Sequence, residues 1–307
     1  MLTKEESFIC KLANNLIIND SNFTHNSADS DGGVIYSEYH NNLTIWNSNL
    51  SFNTAHSNGG VFCSLIETIL TVIGDNCTFT GNQAAHSGGV VYASQSKVDV
   101  LSQTLLMDNN TAIDTGGAIH LSVTNLTFFN GNSSLVGNRA YFGGAIYASE
   151  SKMLVGTHSL MKVSANLAMA NGGGLYLMMS KLRMRGHSSY IRNKANNTGG
   201  GLHAANSLII IEGAVYFTKN IARNGGGVSL ESNSKFNGIS TGYYSVVDYA
   251  SNRASHFGGA LYVADETNHE MCAVTPTQKA TSKTGCFSTF NFSVPQLFRQ
   301  FSRRRWL

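Results

Sequence analysis

The chain is poor in charge and nearly free of proline. Only 13% of its 307 residues are Asp, Glu, Lys or Arg, against 42% hydrophobic, which excludes a solvated, disordered polymer. Both prolines, Pro276 and Pro295, fall near the C-terminus, so the turns implied by 31 glycines are made without proline. Long apolar runs are lacking as well. No stretch reaches the ~18 residues of a membrane helix. The best, Ser64–Gly74 and Ser207–Phe217, are broken by Glu67 and Glu212 and read as buried strands. The net charge is only +3, and the one run of bases, Arg303–Arg305, lies in the last five residues and reads as a solvated tail. The body of the chain shows no basic cluster, which argues against nucleic acid as a partner.

Cysteine is sparse. Cys10, Cys63, Cys77, Cys272 and Cys286 show no C-x-x-C spacing, so no zinc site is expected. Cys272 and Cys286 bracket a Thr/Lys-rich loop and could form a disulfide, which would indicate an oxidising compartment. The odd total leaves at least one thiol without a partner in the chain. The opening Met1-Leu-Thr-Lys-Glu-Glu is polar and acidic, unlike a secretory signal. Repeat-like sequence follows soon after, so the chain is expected to begin inside a coil.

What is abundant is internal repetition. Asparagine recurs at Asn26, Asn53, Asn82, Asn110, Asn138, Asn166, Asn193, Asn220 and Asn252, each followed two places later by alanine. Three residues before each stands an apolar or aromatic residue: Phe23, Leu50, Phe79, Met107, Leu135, Val163, Tyr190, Phe217 and Tyr249. A Gly-Gly pair begins five or six places after each Asn, with spacings of 27, 29, 28, 27, 29, 27, 26 and 33 between pairs. Nine coincidences in four columns are not chance.

A period near 28 is too short for most helical repeats, and the glycine triplets at 172–174, 199–201 and 225–227 would each penalise a helix. Short alternating strands separated by Gly, Asn and Ser fit instead. The expected fold is all-β: a right-handed parallel β-helix of about nine coils over residues 1–265, with three short strands per coil. Residues 266–307 form a non-repeat tail, which the Cys272–Cys286 bridge could turn into a cap over the last strand edges. Stacked coils put like over like at about 4.8 Å, so the Asn column can form an amide ladder. The constant alanine marks a tight interior corner.

Two places after the first glycine of each pair plus one, the residue is always apolar, as in Ile119, Ile146 and Leu175, and faces inward. The next column alternates outward. Its Tyr36, Tyr92, His120, Tyr147, Tyr176 and His203 form the candidate binding stripe, since aromatic faces can stack on sugars or anchor a protein. The blander alternative is that these rings stack on one another between coils. His120 and His203 stand three coils apart and cannot share a metal.

Gly116–Ile119, Gly143–Ile146 and Gly258–Leu261 follow a Gly-Gly-Ala-[Ile/Leu/Val] motif, and Phe23–Asn26, Phe79–Asn82 and Phe217–Asn220 follow Phe-x-x-Asn. This pairing resembles the repeats of chlamydial polymorphic outer-membrane proteins, over about residues 20–265. Similar repeats occur in large secreted proteins of simple animals, within the pectin-lyase-like superfamily. The resemblance implies a β-helical rod and, more loosely, an adhesive role. The bacterial proteins also carry a C-terminal barrel, which the ~40 residues after 265 are too few to close.

Catalysis on this fold would call for clustered carboxylates. Asp108, Asp114 and Glu150 are isolated, and Asp29 and Asp31 read as a solvent-exposed turn rather than a cation site. The tripeptide Asn-x-Ser/Thr at Asn19, Asn22, Asn42, Asn49, Asn76, Asn109, Asn125, Asn132, Asn196 and Asn291 permits glycosylation of a secreted chain. The expected function is therefore non-catalytic, extracellular or at the cell surface, in adhesion or as a scaffold. Glycans or cell-surface proteins are the expected partners, and no cofactor or metal is. A polysaccharide-active enzyme or carbohydrate binder on the same fold is the alternative.

Overall fold

The computed structural model describes residues 8–11, 14–238, 246–264 and 271–272. Among these no helix occurs. The strands assemble into four parallel sheets, here A to D, visited in turn along the chain. Sheet A runs from Phe8–Lys11 to Leu261–Ala264 and sheet B from Asn15–Asn19 to Met271–Cys272, each with ten strands. Sheet C runs from Asn22–Thr24 to Val246–Ala250 and sheet D from Ser27–Ala28 to Arg253–Phe257, each with nine. Nine or ten strands per sheet agree roughly with nine repeats.

The coil has four strands rather than the three expected. The fourth is the Asn-x-Ala corner itself, where pairs such as Arg139–Ala140 and Leu167–Ala168 bond across coils as two-residue strands. A pattern only two residues long has no alternation to reveal it. Sheet B also continues to Met271–Cys272, past residue 265 where the repeat motif stops.

One coil shows why the sequence folds this way. Ile119–Ser122 lies in sheet A, Asn125–Phe128 in B, Gly131–Val136 in C and Arg139–Ala140 in D. The inward residues Ile119, Leu121, Leu126, Phe128 and Leu135 are fully buried. Each lies over its counterpart one coil on, as in Ile119↔Ile146 and Leu126↔Met153. The inward residues of sheets A, B and C merge into one continuous core. The corner alanines of sheet D pack separately, as Ala84, Ala112 and Ala140 and as Ala168, Ala195 and Ala222.

The Gly-Gly pair closes the coil for two different reasons. Gly116 has φ +63, and a Cβ there would lie 2.1 Å from Ile119 O in its own turn. Gly117 has no such φ, but a Cβ would lie 2.2 Å from Gly144 O of the next coil. The first glycine shapes the turn, and the second lets two coils approach.

Candidate functional site: the ring column and the ladders

The Asn column forms a single hydrogen-bonded ladder. Each side-chain oxygen accepts both the backbone N–H and an amide proton of the Asn one coil earlier. Asn110 N and Nδ2 thus both donate to Asn138 Oδ1 at 3.0 Å, and Asn138 N and Nδ2 donate to Asn166 Oδ1 at 2.8 and 3.0 Å. The same pattern links Asn26, Asn53, Asn82, Asn193, Asn220 and Asn252. The second amide proton reaches back to the carbonyl of the residue three before the preceding Asn. Asn82 donates to Leu50 O, Asn110 to Phe79 O and Asn220 to Tyr190 O, at 2.8–2.9 Å. This couples the Phe and Asn columns of the motif: the Phe-type side chain fills the core while its carbonyl holds the next Asn.

A second ladder, of hydroxyls, stands beside the first and is not among the features expected from the sequence. Thr124, Ser151, Ser180 and Ser207 each place a hydroxyl on the backbone N–H of the coil before, as in Ser151 N to Ser180 Oγ at 3.0 Å. Its signal was a Ser or Thr eight places after the first glycine of the five consecutive pairs at 88, 116, 143, 172 and 199, hidden by the general abundance of Ser.

The strand register aligns Tyr36, Cys63, Tyr92, His120, Tyr147, Tyr176, His203, Ser229 and Tyr262 in one column. Five of these rings form an unbroken stack. Tyr92–His120, His120–Tyr147, Tyr147–Tyr176 and Tyr176–His203 have centroids 4.7, 5.1, 5.2 and 4.7 Å apart and planes within 25°. Tyr36 is separated from them by Cys63. The flat faces of the stacked rings are therefore turned on each other. What the column offers outward is ring edges and tyrosine hydroxyls on half-buried side chains, except that His203, expected in the outward stripe, is fully buried beneath its neighbours and offers no surface.

Both histidines are held neutral. Burial lowers the pKa of His120 and of His203 to about 4. Each ring nitrogen Nδ1 bonds a turn hydroxyl instead, Thr115 Oγ1 at 2.7 Å for His120 and Thr198 Oγ1 at 2.8 Å for His203. Glu231 Oε1 lies 3.9 Å from His203 Nδ1, but burial raises the pKa of Glu231 while it lowers that of His203. Neither shift favours the charged pair, so the contact is not an ion pair. At the other end Tyr36 is raised to about 12, by burial first and then by its hydrogen bond to Glu38. Burial likewise pushes the Cys63 thiol well up.

The remaining sequence candidates are dispersed. Asp31 Oδ1 accepts the Asn58 N–H at 2.8 Å and its amide at 3.0 Å, bracing the next turn, while Asp29 lies 3.8 Å from His56. Among the described residues no three of His, Cys, Asp and Glu gather as a metal site requires. Cys63 and Cys77 are buried free thiols. Cys286, and with it the expected bridge to Cys272, lies outside the described residues, as does Asn291. Of the other sequons, Asn49 is half-buried and the rest are exposed.

Three segments, residues 20–38, 76–94 and 127–149, match the Chlamydia polymorphic membrane protein repeat. Each spans one Asn rung and one Gly-Gly turn of the geometry above; the first two contain Phe-x-x-Asn, and the third has Leu135-x-x-Asn138 in its place. The chain is a parallel β-helix repeat protein resembling the polymorphic membrane proteins. No curated protein and no solved structure matches it.

Proposed function

We propose that this chain is a non-catalytic β-helix displayed outside the cell, serving adhesion or acting as a structural scaffold. The observation that carries the reading is the doubly laddered, ring-stacked coil. Every rung is bonded to the next, so the molecule presents one stiff repeating surface with hydroxyl-tipped ring edges along it. Such a surface suits repeated polar contacts with a protein or glycan better than insertion of a sugar between aromatic faces. The match to a membrane-protein repeat supports a place at a cell surface, and the exposed sequons suit secretion. Beads coated with the purified chain should adhere to cells, and Tyr147→Ala with Tyr176→Ala should reduce adhesion at least fivefold. Adhesion unchanged by the pair would remove the column from the reading.

The second reading, a polysaccharide-active enzyme, draws on Glu231, whose pKa is pushed up by burial, against the opposing hydrogen bond from Ser229, in the direction that suits a general acid. Release of reducing or unsaturated ends from a polysaccharide panel, lost in Glu231→Gln, would replace the first reading with this one.

A further inference from the structure

Charge is divided along the coil axis. Residues 14–130 hold one lysine against nine Asp and Glu, net −8, whereas residues 131–264 hold twelve Lys and Arg against four Asp and Glu, net +8. Of the basic residues in the second half, Arg183 and Arg185 are consumed by Glu212. Others gather on sheet D. Its outward column reads Arg139, Leu167, Lys194, Ile221, Arg253 in successive coils. A cation thus recurs every second coil, about 10 Å apart. Arg192 and Lys219 stand at the turn just before this column and Arg223 just after it. All six cations are exposed, and no described carboxylate forms a salt bridge with any of them. Lys194, Arg223 and Arg253 line one shallow pocket of about 270 Å³, together with Ile221, Asn196 and Ser255.

We propose that this face of sheet D is a binding site for a sulfated glycan chain lying along the coil axis. Three cations facing one pocket, with no salt bridge to a described carboxylate, suit an anion, and guanidiniums chelate planar or tetrahedral oxyanions by two hydrogen bonds. The alternation of Arg139, Lys194 and Arg253 with Leu167 and Ile221 suits a linear polymer whose anionic groups alternate with apolar ring surfaces. Nucleic acid is the weaker fit, because single strands stack on open aromatic faces, and those of the main ring column are closed against each other. A second copy is also the weaker fit. Its acidic half spreads Asp20, Glu38, Asp99 and Asp114 over different sheets and turns rather than one matching column. The site lies on a different face from the ring column and does not depend on its role.

The test uses the full chain, produced without glycosylation so that Asn196 carries no sugar, with heparin as the sulfated probe. Titration at several salt concentrations should show binding that weakens steeply with salt. The triple variant Lys194→Gln/Arg223→Gln/Arg253→Gln removes three exposed ionic contacts and should weaken heparin binding roughly 10- to 100-fold. The control Lys152→Gln/Lys162→Gln/Lys181→Gln makes the same charge change on sheets B and C and should change it less than threefold. Wild type and both triple variants are checked for folding by circular dichroism. Equal loss in both triple variants would reduce the effect to net charge and overturn the proposal. So would absence of heparin binding at physiological salt, DNA binding as tight as heparin, or a self-associated species dissolved by the sheet D variant.

Discussion

Asn138→Ala should be among the most damaging single substitutions in this chain. The native side chain is fully buried. Its Oδ1 receives two bonds from Asn110, and its Nδ2 donates to Met107 O at 3.1 Å and to Asn166 Oδ1 at 3.0 Å. Alanine deletes all four. It leaves the Asn110 N–H and one of its amide protons without an acceptor in a buried turn, while Asn166 Oδ1 keeps the N–H of residue 138. An unpaired buried donor costs roughly 1–3 kcal/mol, so two of them place the loss at about 4 kcal/mol. Asn26→Ala is the comparison, because it sits half-buried near the N-terminal end of the ladder. There the amide bond to Asn53 Oδ1 disappears, but the Asn26 N–H remains on that oxygen at 3.0 Å. Its loss should stay below about 1 kcal/mol. Guanidinium unfolding followed by far-ultraviolet circular dichroism measures both. Because stacked repeats can open in sections, amide hydrogen exchange around residues 107–140 is recorded alongside. Equal losses for the two variants, or an Asn138→Ala midpoint indistinguishable from wild type, would refute the stabilising role of the ladder.

Gly117→Ala should cost about 3 kcal/mol by forcing two coils apart. Gly156→Ala, whose Cβ would meet its nearest atom at 3.0 Å, should cost less, and a reversed order in thermal melts would contradict the close-approach argument. Ala165 holds the turn before its Asn at φ 56, where Gly81 and Gly137 serve in other coils. Ala165→Gly is expected to raise stability by about 0.5–1 kcal/mol, and a lowered unfolding midpoint would count against strain at that turn. The two buried histidines make the fold acid-sensitive. Their folded pKa of about 4 lies below the ordinary 6.5, so the unfolded chain binds the extra protons. Stability from this source is complete above pH 6.5 and falls as pH drops toward 4, by about 3 kcal/mol per histidine. Comparing denaturant midpoints at pH 7.5 and 4.5, the double variant His120→Phe/His203→Phe should lose much less than wild type. An equal loss would place the acid sensitivity elsewhere.

Much of the architecture could be read from spacing alone, because a stacked coil repeats its constraints in every turn. The Asn of each rung, the apolar residue three before it and the glycines after it recur since each meets the same neighbour above and below. The inward column around Ile119 and Ile146 was legible for the same reason, through strict alternation with a polar or aromatic neighbour. What could not be read were features with no period of their own. The two-residue strands at Arg139–Ala140 and its equivalents are too short to alternate. The hydroxyl ladder of Thr124, Ser151 and Ser180 was lost among many other serines.

Other properties arise only when the coils close. Whether Tyr147 and Tyr176 show a face or an edge depends on the distance to the next ring, and the strand spacing brings them into stacking contact. Arg139, Lys194 and Arg253 are 55 and 59 residues apart in the chain and make no basic cluster there. Stacking converts those separations into two strand spacings each, and a chain that looks nearly neutral acquires a cationic face. Sequence determined which residue occupies each column, since a column is a recurrence along the chain. The tertiary structure decided how much of each outward column solvent reaches and which charges meet, since those depend on how the coil wraps and on what lies across each turn.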